Sequence, residues 1–233
     1  MLKVDLHLHT AEDPRDHIAY DARTLIDRAA ELGFGAIAIT LHDRQLWHRS
    51  LVEYARDRRV TLLRGVERTI AGRHVLLVNF PAAVEQVRSF EDVAALKRRS
   101  NGLVIAPHPF FPSRSCLRDV LDRYVDLFDA VEWSYFWARG VDFNARAARW
   151  ARRHGKPLVG NSDLHNLRQL GRTHSIVSAE SDADAICDAV RAGRVSVASS
   201  PVPYLELALT LGGMLWHGRQ LTGSSSVEPV TGS

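Results

Sequence analysis

Near its start the sequence contains the stretch LKVDLHLHT at residues 2–10, in which an apolar-rich run ends in two histidines, His7 and His9. The run predicts a β-strand over residues 2–8. Residues two positions apart on a strand point to the same side, so the two imidazoles of this H-x-H pair lie side by side. Such a pair can bind one metal ion, although an isolated H-x-H pair is equally typical of two hydrogen-bonded core histidines.

Strands and helices alternate beyond this stretch. The predicted strands cover residues 2–8, 36–40, 60–66, 74–80, 103–106, 130–134 and 157–160. The predicted helices cover residues 21–32, 47–59, 90–99, 141–153 and 182–192. Strands that alternate with helices favour parallel β/α units. Because about seven such strands fit in the chain, the pattern predicts an α/β fold close to a complete β/α barrel.

Composition and charge set further bounds. Of the 233 residues, 45% are hydrophobic and 24% are charged, so the chain can bury a core. A formal net charge of +3 does not by itself indicate a nucleic-acid partner. The two cysteines, Cys116 and Cys187, exclude a disulfide scaffold and a four-thiolate zinc site. Histidine, with 11 residues, is the conspicuous component.

The chain shows no targeting or membrane-spanning pattern. Charged residues and histidines interrupt residues 1–10, and no apolar run approaches the ~20 residues that a bilayer requires. Together with the two cysteines, this favours a cytoplasmic protein. We expect a single barrel domain over residues 1–222 and, because residues 223–233 are small and polar, a disordered tail there.

Candidate metal ligands recur at the ends of the predicted strands. They are His7 and His9 at the end of the first strand, His42 after the second, Glu67 after the third, His74 at the start of the fourth, His108 after the fifth, and Asp163 and His165 after the last. In β/α barrels the C-terminal ends of the strands meet at one face, which holds the active site. The sequence therefore predicts that these segments converge.

Several of these residues also have an ordinary structural interpretation. Glu67 ends an apolar strand, where a carboxylate is costly unless it bridges cations or pairs with Arg64 or Arg68. His108 lies between two prolines, which suits a positioned ligand but also a plain tight turn. Asp5 could accept a hydrogen bond from an imidazole and fix its tautomer, or be an exposed carboxylate at a strand end.

Five short motifs resemble, in order and spacing, those of the polymerase and histidinol phosphatase (PHP) family. They are DLHLHT at residues 5–10, AITLHD at 38–43, GVE at 65–67, APHP at 106–109 and GNSDLH at 160–165. No single motif is very specific, but five in order are. The resemblance implies a distorted seven-stranded (β/α)7 barrel, two or three divalent metal ions (Zn, Mn or Fe) and hydrolysis of phosphoester bonds.

The resemblance also implies roles for individual residues. His7, His9, Glu67 and Asp163 would hold a first metal ion, Glu67, His74 and His108 a second, and His42 and His165 a third. The family completes the third site with one more acidic or histidine ligand, for which Asp13, Asp16 and His17 are candidates. Leu41 stands where the family usually has an aspartate, which leaves open whether the third site fills.

These roles predict a metal-dependent phosphoesterase that acts on a small phosphorylated substrate, either a monoester or a diester. A hydroxide bridging two metal ions would attack phosphorus, and Asp163 or a water at the third metal site could supply the proton of the leaving group. Arg44 and Arg172 are the candidates for binding the phosphate, with Arg68 as a further possibility, although arginines are mostly exposed surface residues.

Three alternatives remain at the level of the sequence. One is a single-strand exonuclease activity, disfavoured because the arginine-rich stretches fall on predicted helices away from the strand ends. Another is a non-catalytic, metal-binding regulatory module. The third is hydrolysis of a carbonyl substrate, as in deacetylases and amidohydrolases, by the same metal ions. The sequence predicts no membrane partner and does not indicate the oligomeric state.

Overall fold

The computed structural model describes residues 1–208, so the predicted tail and the predicted domain end at residue 222 lie outside the described residues. The strands are β1 (Leu2–Leu8), β2 (Ala36–Ile39), β3 (Thr61–Ile70), β4 (Arg73–Val78), β5 (Leu103–Ala106), β6 (Ala130–Ser134), β7 (Trp137–Ala138), β8 (Val141–Asp142), β9 (Leu158–Asn161), β10 (Thr173–Val177) and β11 (Val195–Ser199). The helices are α1 (Ala22–Glu31), α2 (Arg49–Asp57), α3 (Phe90–Lys97), α4 (Val120–Arg123), α5 (Asn144–Arg153) and α6 (Ala183–Arg191).

The main sheet is mixed and has nine strands in the order β11-β10-β1-β2-β3-β4-β5-β6-β9. Pairing is parallel for β1–β2, β2–β3, β5–β6 and β6–β9. It is antiparallel for β3–β4, β4–β5, β1–β10 and β10–β11. The α/β class is therefore confirmed, whereas the count of seven strands in a regular (β/α)7 barrel is not.

The first departure from β/α repetition is the β3–β4 hairpin, which has no helix between its strands. Ala71 (φ 48°) and Gly72 (φ 74°) form the two-residue turn, and Ile70 pairs with Arg73. Positive φ at both central residues is the conformation of a type I′ turn, whose twist matches that of the flanking strands. The hairpin thus lets β3 extend past its predicted end at residue 66 to Ile70.

The second departure is the pair β10 and β11, which the sequence pattern did not reveal. The buried positions of β10 are Thr173, Ser175 and Val177, so two of its three core-facing residues are polar. Ser175 uses its hydroxyl to reach β9: Gly160 N donates to Ser175 Oγ (2.9 Å), and Ser175 Oγ donates to Gly160 O (3.1 Å). These contacts bring the two edges of the sheet together into a nearly closed barrel.

Gly160 makes this closure possible. A Cβ atom at this position would lie 2.6 Å from the backbone oxygen of His174. The backbones of β9 and β10 therefore approach each other at a residue that has no side chain.

The helices pack on the sheet through their apolar faces. Leu25 and Ile26 of α1 lie in one buried cluster with Ile37 of β2, while Val93 of α3 and Trp150 of α5 belong to a second cluster over β4–β6. The helix predicted from residue 141 begins instead at Asn144, whose backbone N donates to Asp142 Oδ1 (2.7 Å). Among the described residues, no helix has the length and apolarity needed to cross a membrane.

Candidate metal centre

All eight predicted ligands meet at one end of the barrel. They are His7 of β1, His9 just after it, His42 after β2, Glu67 of β3, His74 of β4, His108 after β5, and Asp163 and His165 after β9. These residues converge because the sheet brings all of their segments to the same end of the barrel. The ligand atoms of His7, His9 and Glu67 lie within 4.8 Å of one another, and so do those of His42, Glu67 and His74.

Glu67 occupies the middle of this group, with only 2% of its side chain exposed. Its two oxygens face different imidazoles. Oε2 lies 3.4 Å from His7 Nε2, 3.5 Å from His9 Nε2 and 3.2 Å from His42 Nε2, whereas Oε1 lies 2.7 Å from His74 Nδ1 and 3.5 Å from His108 Nε2. A carboxylate placed between two groups of donors in this way can bridge two cations.

Asp163 closes the other side of the space in front of His7 and His9. Its Oδ1 lies 3.3 Å from His7 Nε2 and 3.6 Å from His9 Nε2. The backbone is left-handed at three points around the site: Asp43 (φ 55°), His108 (φ 28°) and Asp163 (φ 45°). Positive φ at residues other than glycine costs free energy and clusters at functional sites, where the surrounding structure holds it.

Two buried imidazole nitrogens show what the space between these side chains suits. Within the described part of the chain, Nε2 of His7 and Nε2 of His9 make no hydrogen bond, although carboxylate oxygens lie 3.3–3.6 Å away. The ligands of a tetrahedral ion, at ~2.1 Å from it, are about 3.4 Å apart. The residues therefore fit a divalent metal ion, and the mixture of imidazole and carboxylate suits Zn, Mn or Fe.

The other nitrogen of each of these imidazoles faces a buried carboxylate. Nδ1 of His7 lies 2.9 Å from Glu132 Oε1, and Nδ1 of His9 lies 2.9 Å from Asp13 Oδ2. An imidazole that donates from Nδ1 to a carboxylate presents its Nε2 lone pair to a metal ion and becomes more basic. The local environment thus orients both rings for ligation.

Asp16 is the candidate that completes the ligand set of the third metal ion, beside His42 and His165. Its Oδ2 lies 3.0 Å from His165 Nε2 and 3.4 Å from His42 Nδ1. Asp13 also contacts His42 Nδ1 (3.1 Å), but it backs His9, accepts a hydrogen bond from the backbone N of His42 (2.9 Å) and does not contact His165 among the described residues. His17 is exposed. Of the three residues left open by the sequence, only Asp16 therefore contacts both histidines with an accessible carboxylate.

Leu41 stands where the family usually has an aspartate, and Asp43 is the nearest carboxylate that follows it in the sequence. Leu41 is fully buried in the apolar cluster with α1 and α2, so it contributes packing and no ligand. Asp43 points away from the histidines, and its Oδ1 accepts from Thr69 N (2.8 Å) and pairs with Arg68 (3.0 Å). Asp43 is thus engaged by β3, and whether the third site fills without the family aspartate stays a prediction.

The charges in the cluster are strongly coupled. Burial opposes ionisation of Asp163, but the positive charges of His7, His165 and His108 together outweigh it and lower the pKa of Asp163. An ionised carboxylate suits metal ligation, and the role of Asp163 as proton donor stays a prediction. Burial would also lower the pKa of His165, but its hydrogen bond with Asp16 and the charge of Asp163 raise that pKa to about 9.

Asp5 takes neither of its two anticipated roles. It is fully buried, and it accepts hydrogen bonds from the backbone N of His7 (3.2 Å) and from Ser162 Oγ (2.6 Å), not from an imidazole. Burial raises the pKa of Asp5 to about 7. Its contacts join β1 to the loop that carries Asp163, so it positions two ligand-bearing segments relative to each other.

Glu132 of β6 is a site residue that the sequence reasoning missed. It is fully buried, and besides His7 it accepts from Asn161 Nδ2 (3.0 Å) and from the backbone N of His108 (2.6 Å). One carboxylate thus connects β1, the turn after β5 and β9. The available signal was a glutamate inside the otherwise apolar strand AVEWS, the same signal that identified Glu67.

The two arginines expected to bind phosphate do not contact the ligand cluster within residues 1–208. Arg44 is exposed, and Nη1 of Arg172 pairs with Glu206 (3.0 Å). Arg68 is buried and donates to Val87 O (2.7 Å) as well as pairing with Asp43. A different arginine, Arg15, reaches the edge of the cluster.

A family model described as PHP-associated matches residues 142–195. No curated protein matches the sequence significantly.

Several solved structures share the fold. A two-domain protein from Bacteroides vulgatus that contains a predicted PHP-like metal-dependent phosphoesterase is 19% identical (TM-score 0.66, 85% of this chain covered), and this chain spans 64% of it. PsfC of Pseudomonas syringae is 14% identical (TM-score 0.62), with 94% and 98% of the two chains covered. The lesion-specific endonuclease Q of Pyrococcus furiosus is 17% identical (TM-score 0.58), with 84% and 57% covered. The chain thus contains a segment similar to the PHP-associated family model, and it shares its fold with these structures, one of which contains a predicted PHP-like phosphoesterase.

Proposed function

We propose that this protein is a metal-dependent phosphoesterase. The observation that carries the proposal is the position of Glu67, whose two oxygens face two separate groups of imidazoles while Nε2 of His7 and of His9 stays without a hydrogen bond. Two divalent ions held side by side would supply a water of lowered pKa as nucleophile and positive charge for the phosphoryl oxygens. The Bacteroides relative that contains a PHP-like phosphoesterase supports the same chemistry.

The chain's residues divide among the ions as follows. His7, His9, Glu67 and Asp163 would hold the first ion, Glu67, His74 and His108 the second, and Asp16, His42 and His165 a third. Glu132 and Asp13 keep His7 and His9 in the orientation that ligation requires. The burial of Glu67, His7 and His9 excludes bulk water, which strengthens electrostatic interactions inside the site. Substrate access would be from the side of Asp163 and His165, whose side chains are 24% and 44% exposed.

The substrate class that we favour is a small phosphorylated molecule. A nucleic acid is the second candidate, because endonuclease Q shares the fold. Assays on two kinds of substrate separate these possibilities. A small phosphoesterase hydrolyses an aryl phosphate or a bis-aryl phosphate, whereas a nuclease releases nucleotides from labelled single-stranded DNA.

The test begins with protein that has been stripped of metal by a chelator. We expect activity on an aryl phosphate to be lost and then restored by Mn²⁺, Zn²⁺ or Fe²⁺. The Glu67→Gln variant should stay inactive after the same addition. Glu53→Gln, which changes a half-exposed glutamate on α2, is the matched control and should behave as wild type. Activity that survives complete metal removal would overturn the proposal.

A further inference from the structure

Arg15 lies at the rim of the candidate metal centre and is held there by two contacts. Its Nη1 donates to Thr69 Oγ1 (2.9 Å), and its Nη2 pairs with the carboxylate of Asp43. A guanidinium has five N–H donors in a fixed plane, so these contacts leave three available. The side chain remains 47% exposed, and the remaining donors are accessible to a ligand.

The neighbours of Arg15 place it beside the ligands. Thr69 follows Glu67 by two residues on β3, so the two side chains lie on one face of the strand. Thr69 is also directly opposite His74 in the β3–β4 register, and opposed residues have Cβ atoms about 4.5–5.5 Å apart. The side chain of Thr69 therefore lies between Arg15 and His74, which is at the edge of the ligand cluster.

The charges around Arg15 leave it an excess of positive charge. The carboxylate of Asp43 is shared with Arg68, whose Nη1 lies 3.0 Å from Asp43 Oδ1. One negative charge thus faces two guanidinium groups. Arg68 is buried and donates to the backbone oxygens of Asp43 and Val87, so the excess is presented to solvent through Arg15.

We propose that Arg15 determines substrate specificity by binding a second anionic group of the substrate, a phosphate or a carboxylate, beside His74. The inference rests on the proposed phosphoesterase function and narrows its substrate to a phosphate ester that carries a further negative charge. Arginine suits this role because its planar fork binds carboxylate or phosphate oxygens in a bidentate manner. Arg15 thereby takes the role that the sequence had suggested for Arg44 and Arg172.

The experiment compares phenyl phosphate with its carboxyphenyl phosphate isomers, which differ by one carboxylate. For the wild type we expect KM for at least one isomer to be about tenfold lower than for phenyl phosphate, as for a charge-assisted hydrogen bond. Arg15→Gln should abolish this difference, with a much smaller change in kcat and KM for phenyl phosphate. Arg15→Lys, which keeps the charge but not the fork, should retain part of it. Arg44→Gln is the matched control and should retain the full difference.

Binding of the non-hydrolysable phenylphosphonate and carboxyphenylphosphonates to the metal-loaded protein, measured by calorimetry, gives a readout that does not depend on turnover. A preference for a carboxylated ligand that Arg15→Gln removes would support the subsite even if no substrate were hydrolysed, in which case only the proposed function would fail. The inference is overturned if the wild type shows no preference, or if Arg15→Gln weakens both ligands equally, as a purely structural role of Arg15 would.

Discussion

The candidate metal centre has two parts that differ in burial. In the inner cluster, formed by His7, His9 and Glu67, no side chain is more than 2% exposed. In the outer cluster, formed by Asp16 and His165, the side chains are 33% and 44% exposed. The inner cluster lies on or next to strands, whereas the outer cluster lies on the loops after β1 and β9. The difference indicates that the barrel fixes the inner ligands and leaves the outer ones adjustable.

The orientation of the rings follows the same division. The imidazoles of the inner cluster are each backed by a buried carboxylate, Glu132 for His7 and Asp13 for His9. His165 is backed only by its own loop, through the backbone oxygen of Asp163 (2.9 Å). Loops vary more than the elements that they connect. The outer cluster is therefore where we expect metal occupancy to depend on conditions.

The largest effect is expected from changing the inner cluster itself. Glu67→Gln removes the charge that faces both imidazole groups, so the affinity for the first two ions should fall together. Because the loss of a supporting partner alone costs 10–100-fold, we expect activity to fall by more than about 100-fold. Elemental analysis of the purified variant, beside kcat/KM on an aryl phosphate, checks this. An unchanged metal content would contradict a bridging position for Glu67.

The next effect comes from the support behind the inner cluster. Glu132→Gln halves the acceptor capacity that serves His7, Asn161 and the backbone of His108, so metal affinity should weaken by about 10–100-fold. Asp129→Asn is the matched control. Asp129 is a buried carboxylate just before β6 that accepts from Val104 N (2.9 Å) and pairs with Lys97 (2.8 Å), far from the ligands. It should lower thermal stability and leave metal affinity, measured by calorimetry, as in wild type.

A smaller effect is expected in the outer cluster. Asp16→Asn should remove at most one ion and lower activity by about tenfold or less, near the lower end of the range for a supporting contact. His17→Asn changes the exposed neighbour and should have no effect on metal content or kinetics. If Asp16→Asn released all the bound metal, the distinction between the two clusters would be lost.

The smallest effect concerns pH and the metal-free protein. The folded-state pKa of His165 is raised from 6.5 to about 9, so the native state binds its proton more tightly than the unfolded state does. This stabilisation is fully present below about pH 6.5 and is lost as the pH rises through about 9. The free energy of unfolding of metal-free protein should therefore decrease between pH 6.5 and 9. In denaturant titrations, His165→Asn should have a shallower decrease, and an identical slope would contradict the effect.

The inner ligands could be predicted because each lies at or near the end of an apolar run that predicts a strand. The H-x-H pair and Glu67 lie where alternation of apolar residues stops, and parallel strand ends meet at one face. Asp16 could not be chosen over Asp13 from spacing alone, because the conformation of an irregular loop decides which carboxylate reaches His165 and which backs His9.

The parts of the fold that escaped prediction have a common physical cause. β10 lacks the apolar alternation that predicts a strand, because two of its buried positions are Thr173 and Ser175. Their hydroxyl groups form hydrogen bonds with neighbouring strands. Glu132 could not be predicted as a site residue for a related reason, since its hydrogen-bond partners come from segments far away in the sequence. Residues that are polar, buried and satisfied by distant partners do not follow the periodicity from which strands and sites are predicted.

The most direct test of the central claim is anomalous diffraction from crystals of metal-loaded protein. We predict two anomalous peaks about 3.5–4 Å apart, one within bonding distance of Glu67 Oε1 and the other within bonding distance of Glu67 Oε2. The first should also contact His74 and His108, and the second His7 and His9. A single peak bound by neither oxygen of Glu67, or no peak in this cluster, would contradict the account.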